Sequence, residues 1–214
     1  MPKVGVLGSA IVGQTLGKGF KSHGYDVRIG SRTPGKLAGF TTSAGIPAGT
    51  LAEVASWAEL LVLSVKGTAA EAVLGAAGTS NLENKVVIDT TNPIAEAPPV
   101  DGVIQLFTGP NSSLLERLQA VYPQARLVKA FNSVGSARMV NPTFAAGRPT
   151  MCYCGNDPAA KAVVATILEA FGWEAADMGS SAVAARAIEP LCQLWCIPGF
   201  RQNHWTHAFR ILWA

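Results

Sequence analysis

Lys3-Val4-Gly5-Val6-Leu7-Gly8-Ser9-Ala10-Ile11-Val12-Gly13, KVGVLGSAIVG, is the stretch on which the reading of the fold turns. Its first five residues are an apolar run of strand length that stops at Gly8. From Val12 to His23 the pattern becomes helical, and Gly24 closes it as a natural C-terminal stop. The turn between, Gly8-Ser9-Ala10-Ile11-Val12-Gly13, matches G-x-G-x-x-G except that Ala10 stands at the middle glycine. In such a turn Gly8 permits the tight bend, position 10 lets the backbone approach a pyrophosphate, and Gly13 lets helix and strand pack closely. The helix start adds free N–H groups and a positive dipole end, an anion site that needs no charged side chain. Packing alone also produces glycine turns. Here the motif sits between a strand and a helix in a unit of about 30 residues, which favours dinucleotide binding.

Tyr25 to Gly30 is then a second strand, and its end faces the adenosine ribose of a dinucleotide held by the first turn. Sites selective for NAD usually place Asp or Glu about 20 residues after the glycines. This chain has Val27-Arg28-Ile29-Gly30-Ser31-Arg32-Thr33-Pro34-Gly35-Lys36 there, without a carboxylate. Ser31 and Thr33 can donate hydrogen bonds to a 2'-phosphate, Arg32 can stack or form paired charge-assisted bonds, and Lys36 adds a point charge. NADP is therefore expected over NAD; the alternative is a solvated basic loop.

Further apolar runs of strand length are Leu60 to Val65, Lys85 to Asp89, Arg126 to Ala130 and Thr150 to Cys154. Helical composition fills about Pro34 to Ala44, Leu51 to Trp57, Ala69 to Ala76, Ser113 to Tyr122 and Pro158 to Phe171. This alternation predicts an α/β chain of Rossmann type, doubly wound around a mostly parallel sheet, with ligands beyond the carboxyl ends of the strands. Residues 1–180 are read as the NADP-binding unit. Residues 181–214, with Trp195, Trp205, Trp213, Pro190 and Pro198, are read as a small helical or looped extension that covers the site, meets a second subunit, or both. The long Pro- and Gly-containing loop from Ala95 to Pro110 is of a length that often carries function.

The 214 residues, 49% hydrophobic and 14% charged, suffice for one sizeable core. A formal charge of +3 without a Lys/Arg block argues against a nucleic-acid surface. No apolar run reaches the roughly 18 residues of a membrane span, and the N-terminus lacks the features of a signal peptide, so a cytoplasmic protein is expected. Cys152, Cys154, Cys192 and Cys196 are read as reduced, buried thiols. Cys192-x3-Cys196-x7-His204-x2-His207 gathers zinc-compatible side chains, but its spacing fits common zinc patterns poorly, and no metal is expected.

Together, VGVLGSAIVG, HGYDVRIGSRTPGK, KVVIDTTNP, RLVKAFNSV, PTMCYCGNDPAAK and DMGSSAVAARAIEPL resemble the F420-dependent NADP oxidoreductases and, more distantly, the reductase domain of the STEAP metalloreductases. The similarity runs from Val4 to about Leu191. It implies that Gly8 and Ser9 to Val12 (Ser9, Ala10, Ile11, Val12) line the pyrophosphate, and that Ser31, Arg32 and Lys36 hold the 2'-phosphate. It also implies that Ser64, Val65 and Lys66 approach the nicotinamide-side ribose or phosphate, while Asn92-Pro93 and Ala130-Phe131-Asn132 frame the nicotinamide. A homodimer is likewise implied. Ala10 and the Trp-rich tail from about Leu194 depart from the family pattern.

Hydride transfer between a nicotinamide and a flavin-like ring needs stacking and a dry pocket more than an acid or base. The inventory agrees: only His23, His204 and His207 are present, and His23 lies at the wrong end of the first helix. No side chain is therefore assigned to the chemical step. The expected function is hydride transfer between NADP(H) and a small-molecule acceptor, either F420 or a flavin (FMN or FAD). Two alternatives stand beside it. One is reduction of a small carbonyl or imine, as in the beta-hydroxyacid dehydrogenases, which resemble this chain up to about residue 130. The other is a non-enzymatic NADP(H) sensor whose hydrophobic tail binds a protein partner. Three smaller readings complete the picture. Asp89 orients or caps the DTTNP loop, Lys129 packs its stem while its head reaches the edge, and Glu189 marks the acceptor side or lies on a helix surface.

Overall fold

The computed structural model describes residues Met1–Ala214. Its first half runs β1 (Lys3–Leu7), α1 (Ile11–Ser22), β2 (Asp26–Gly30), α2 (Ala38–Ala44), β3 (Ala48–Gly49), α3 (Leu51–Trp57), β4 (Leu60–Leu63), α4 (Ala70–Ala77) and β5 (Val86–Asp89). The second half runs α5 (Leu114–Val121), β6 (Arg126–Lys129), β7 (Thr150–Gly155), α6 (Pro158–Ala170), β8 (Glu174–Asp177), α7 (Ala185–Ile188) and α8 (Leu191–Gln202). All eight strands form one sheet in the order β3-β2-β1-β4-β5-β6-β7-β8. The strands from β3 to β6 are parallel, β7 runs antiparallel to β6, and β8 is parallel to β7. The doubly wound, mostly parallel sheet expected from the strand–helix alternation is therefore present. Successive strands extend the sheet in opposite directions from β1 and β4, which opens a crevice at their carboxyl ends.

The central strands are apolar at nearly every position because helices cover both sheet faces. Val4, Val6, Leu60, Val62, Val86 and Ile88 pack on one face with Leu16 and Phe20 of α1 and Val164, Ile167 and Leu168 of α6. Leu7, Leu61, Leu63 and Val87 pack on the other with α3, α4, α5 and α7. Local chemistry sets the helix starts. Asp157 accepts from the Ala160 N–H at 2.7 Å ahead of Pro158, and Ser113 Oγ accepts from the Glu116 N–H at 3.1 Å.

Two strands were not anticipated. β3 is only two residues long, below the reach of any alternation pattern, and β8 reads Glu-Ala-Ala-Asp, a composition poor in strand formers. Both are edge strands ordered by a neighbour already in place. The C-terminal stretch forms α7 and α8, and the remaining residues run without regular structure across one end of β7. Thr150 N donates to Phe209 O at 2.9 Å, and Ile211 N donates to Thr150 Oγ1 at 3.0 Å. No helix is long and apolar enough to cross a membrane.

Candidate functional site

The glycine turn is held by contacts that only glycine allows. Gly8 has φ +133°, and a Cβ there would lie 2.2 Å from the Ser64 carbonyl oxygen; a Cβ on Gly13 would lie 2.1 Å from the Gly8 carbonyl oxygen. These close approaches bring the ends of β1 and β4 against the first turn of α1. Ala10 is the N-cap of α1 and provides no side-chain cap, so the first-turn N–H groups face outward without one. Its backbone is extended, with φ −79° and ψ −178°, so the methyl group costs nothing conformationally.

Two lobes of open space meet over this turn. The smaller, about 320 Å³, is lined by Gly8, Ser9 and Ala10 together with Gly30, Ser31, Arg32 and Thr33. The larger, about 810 Å³, is lined by Val12, Thr90, Thr91 and Asn92 and by Ile94 through Pro98 of the following loop. Both share Ala10, Ser64, Val65 and Lys66, so they adjoin as the two lobes of a trough at the N-terminus of α1. That two-lobed shape over bare N–H groups fits a dinucleotide.

At the smaller lobe, buried Ser31 organises the corner. Its Oγ accepts from the Thr33 N–H at 3.1 Å and lies 3.3 Å from Ser9 Oγ, tying the end of β2 to the glycine turn. Arg32, Thr33 and Lys36 are exposed and no carboxylate lines the lobe. Lys36 and Ile11 do not line either lobe, and Ile11 is 65% exposed beside the turn.

At the larger lobe, Asn92 is the resemblance-implied residue of the nicotinamide end that reaches open space. Pro93, Ala130, Phe131 and Asn132 lie buried behind its wall. Phe131 takes the left-handed conformation at φ 61°, a strained bend for a bulky side chain that sets Asn132 opposite Asn92. Asn92 Nδ2 then donates to the Asn132 carbonyl oxygen at 2.7 Å, and Asn132 Nδ2 donates to Asn92 Oδ1 at 3.1 Å. Sequence reasoning missed Gly67, Thr68 and the Ile94–Pro98 wall as lining residues. The length of the loop beginning at Ala95 was the available signal.

Beneath the larger lobe lies a buried ionic cluster. Lys129 Nζ donates to the Thr91 carbonyl oxygen at 2.8 Å and lies 2.7 Å from Asp89 Oδ2 and 3.0 Å from Glu189 Oε1. Burial works against its ammonium, but the contacting carboxylates Asp89 and Glu189 outweigh that and push its pKa upward. Two expectations are corrected here. The head of Lys129 does not reach the edge, because both carboxylates draw it inside, and its side chain is 0% exposed. Glu189 does not lie on a helix surface: it is 1% exposed and accepts from the Leu114 and Leu115 N–H groups at 2.9 and 3.0 Å. Asp89 organises the DTTNP loop as expected: its Oδ1 accepts from Thr91 N at 2.9 Å and Thr91 Oγ1 at 2.6 Å.

The remaining candidates lie elsewhere. All four cysteines are buried and free, and burial pushes the Cys154 thiol up to about 12. His207 stacks on Trp195 with ring centroids 5.0 Å apart, and no group of three or more His, Cys, Asp or Glu side chains gathers where a metal ion could sit.

Comparison with known proteins places this geometry among relatives. Residues 3–93 match the family model described as NADP oxidoreductase, coenzyme F420-dependent. Over its whole length the chain is similar to a solved protein of Arthrobacter sp. FB24 provisionally assigned as an F420-dependent NADP reductase. The two share 32% identity, with 99% of this chain and 100% of that one covered and a TM-score of 0.92. The metalloreductase STEAP3 of Rattus norvegicus is 30% identical over 203 residues, covering 92% of this chain; the chain spans 38% of the metalloreductase's length. A reductive aminase of Aspergillus terreus, solved with NADPH and ethyl levulinate, shares the fold at TM-score 0.69 and 19% identity, over 95% of this chain and 63% of the aminase.

Proposed function

Because the chain belongs to the family of F420-dependent NADP oxidoreductases, we propose that it carries hydride between NADPH and a flavin-type ring, with deazaflavin F420 the first candidate and FMN or FAD next. The observation that carries this reading is the pair of adjoining lobes at the α1 N-terminus, one cationic and the other roomier. The bare first-turn N–H groups suit a pyrophosphate. Ser31, Thr33 and Arg32 at the smaller lobe, with Lys36 nearby, suit a 2'-phosphate, and Ser64, Val65 and Lys66 bridge the two lobes.

The chemistry the cofactor supplies is hydride transfer, which needs no protein acid or base. The chain's part is to hold the two rings together and keep water out. Apart from Lys66 and Glu96, the lining of the larger lobe is uncharged, and it contains no histidine. Space of about 810 Å³ leaves room for an acceptor ring.

Anaerobic mixing with NADPH and F420, followed at the deazaflavin absorbance, should show reduction. If NADPH binds but F420, FMN and FAD all stay oxidised, the proposal fails. We further propose a cytoplasmic homodimer in which residues 181–214 lie at the site or the subunit boundary. Light scattering giving a monomer mass would remove the dimer.

A further inference from the structure

Lys129 touches neither lobe, and hydride transfer gives it no task, yet it is the hub of the most heavily connected polar cluster in the molecule. Its ammonium joins groups from separate parts of the chain: Asp89 at the end of β5, Thr91 in the loop beyond it, and Glu189 between α7 and α8. Glu189 in turn holds the first turn of α5 through the Leu114 and Leu115 N–H groups. Two carboxylates and one ammonium share this interior. The surplus negative charge is met by those helix-start N–H groups and by the N–H and hydroxyl of Thr91. Removing the ammonium would leave two buried carboxylates facing each other without a counter-charge.

The part of the cluster that reaches ligand space is the Thr90-Thr91-Asn92 floor of the larger lobe. Thr91 is held from below by Lys129 and Asp89. Asn92 is held by Asn132, whose Nδ2 also donates to the Ile188 carbonyl oxygen at 2.9 Å, next to Glu189. We propose that Lys129 is a positioning residue for the floor of the larger lobe. Glu189 is the second half of the clasp, so a residue of the C-terminal segment helps build the nicotinamide end of the site. Nothing in the cluster touches the smaller lobe, so its effect is confined to one half of the trough. This inference rests on the trough being an NADP site.

The test uses the full chain and two probes: 2',5'-ADP, which occupies the adenosine half alone, and NADPH. For Lys129→Met and Glu189→Gln, calorimetry should give 2',5'-ADP affinities within about twofold of the parent, while NADPH weakens roughly tenfold or more. The change in nicotinamide fluorescence on binding should shrink in parallel, which a uniform loss of folded protein would not produce. Equal losses for both probes, unchanged NADPH binding, or failure of both variants to fold would overturn the positioning role. If the unaltered chain binds neither probe, the reading of the trough falls and takes this inference with it. Binding of both probes by the unaltered chain, without selective loss in the variants, removes the inference alone.

Discussion

Arg32 stands exposed at the mouth of the smaller lobe, where solvent screens it until a ligand arrives. Hydrogen bonds to charged groups are worth about 1.5–3 kcal/mol, so Arg32→Ala should weaken NADPH about tenfold or more and NADH far less. Titration with both nucleotides checks this, and equal losses would return the corner to a solvated basic loop. Gly13→Ala probes the turn itself. The new carbon would sit 2.1 Å from the Gly8 carbonyl oxygen and 2.7 Å from Ser64 Oγ, and backbone cannot yield there. A loss of about 2–3 kcal/mol in denaturant unfolding is expected. Gly35→Ala, with nothing within 4 Å of its added carbon, should be near neutral. The roles of Gly8 and Gly13 were legible in the sequence because a tight turn makes a local steric demand. Lys129 was misread for the opposite reason: RLVKA says nothing about two carboxylates drawn in from remote parts of the chain.

α5 shows how an element is specified twice. Ser113 caps it locally, and Glu189 supports the same turn from 75 residues away. Ser113→Ala should therefore cost about 1 kcal/mol, roughly 2–4 °C in Tm, without loosening the helix outright. At the C-terminus, Gly199 of α8 lies under Trp205, and a Cβ there would fall 2.3 Å from the indole ring. Gly199→Ala should displace Trp205 and shift tryptophan emission to the red, with the denaturant midpoint of the sheet core little changed; an unaltered spectrum would contradict that packing. The regular crossovers were readable because apolar runs of four to six residues alternate with helical stretches closed by capping residues. β3 and β8 were not, since edge strands so short or so poor in β-branched residues take their conformation from the partner beside them.

Over the whole molecule, ion pairs and buried thiols set the pH range of stability. The Arg186 guanidinium, bonded to Glu116, holds that carboxyl below its usual value and ties α7 to α5. A lowered folded-state pKa means this contribution is present above about pH 4.5 and is lost as the pH falls through the folded value. Lys129 is raised, so its contribution persists through neutral pH and is lost only above about pH 10.5. The Cys154 thiol acts earlier. With Cys154 pushed up to about 12 by burial, the unfolded thiol ionises first, and stability declines from about pH 8.5 upward. Tm should thus be nearly level from about pH 5 to 8, with a shallower acid decline in Glu116→Gln. An acid limb unchanged by that substitution would remove the pair from the account.

Neighbouring residues along the chain were enough to specify the strand–turn–helix start, the doubly wound sheet and the carboxylate-free corner at Ser31 and Arg32. Each depends on short-range sterics, periodicity or the charge of adjacent residues. It took the folded chain to set the two lobes side by side at α1, to wall the larger one with the Ile94–Pro98 loop, and to lock Lys129, Asp89 and Glu189 together beneath it. Those outcomes depend on which groups lose water together, and desolvation and charge pairing are set by neighbours in space.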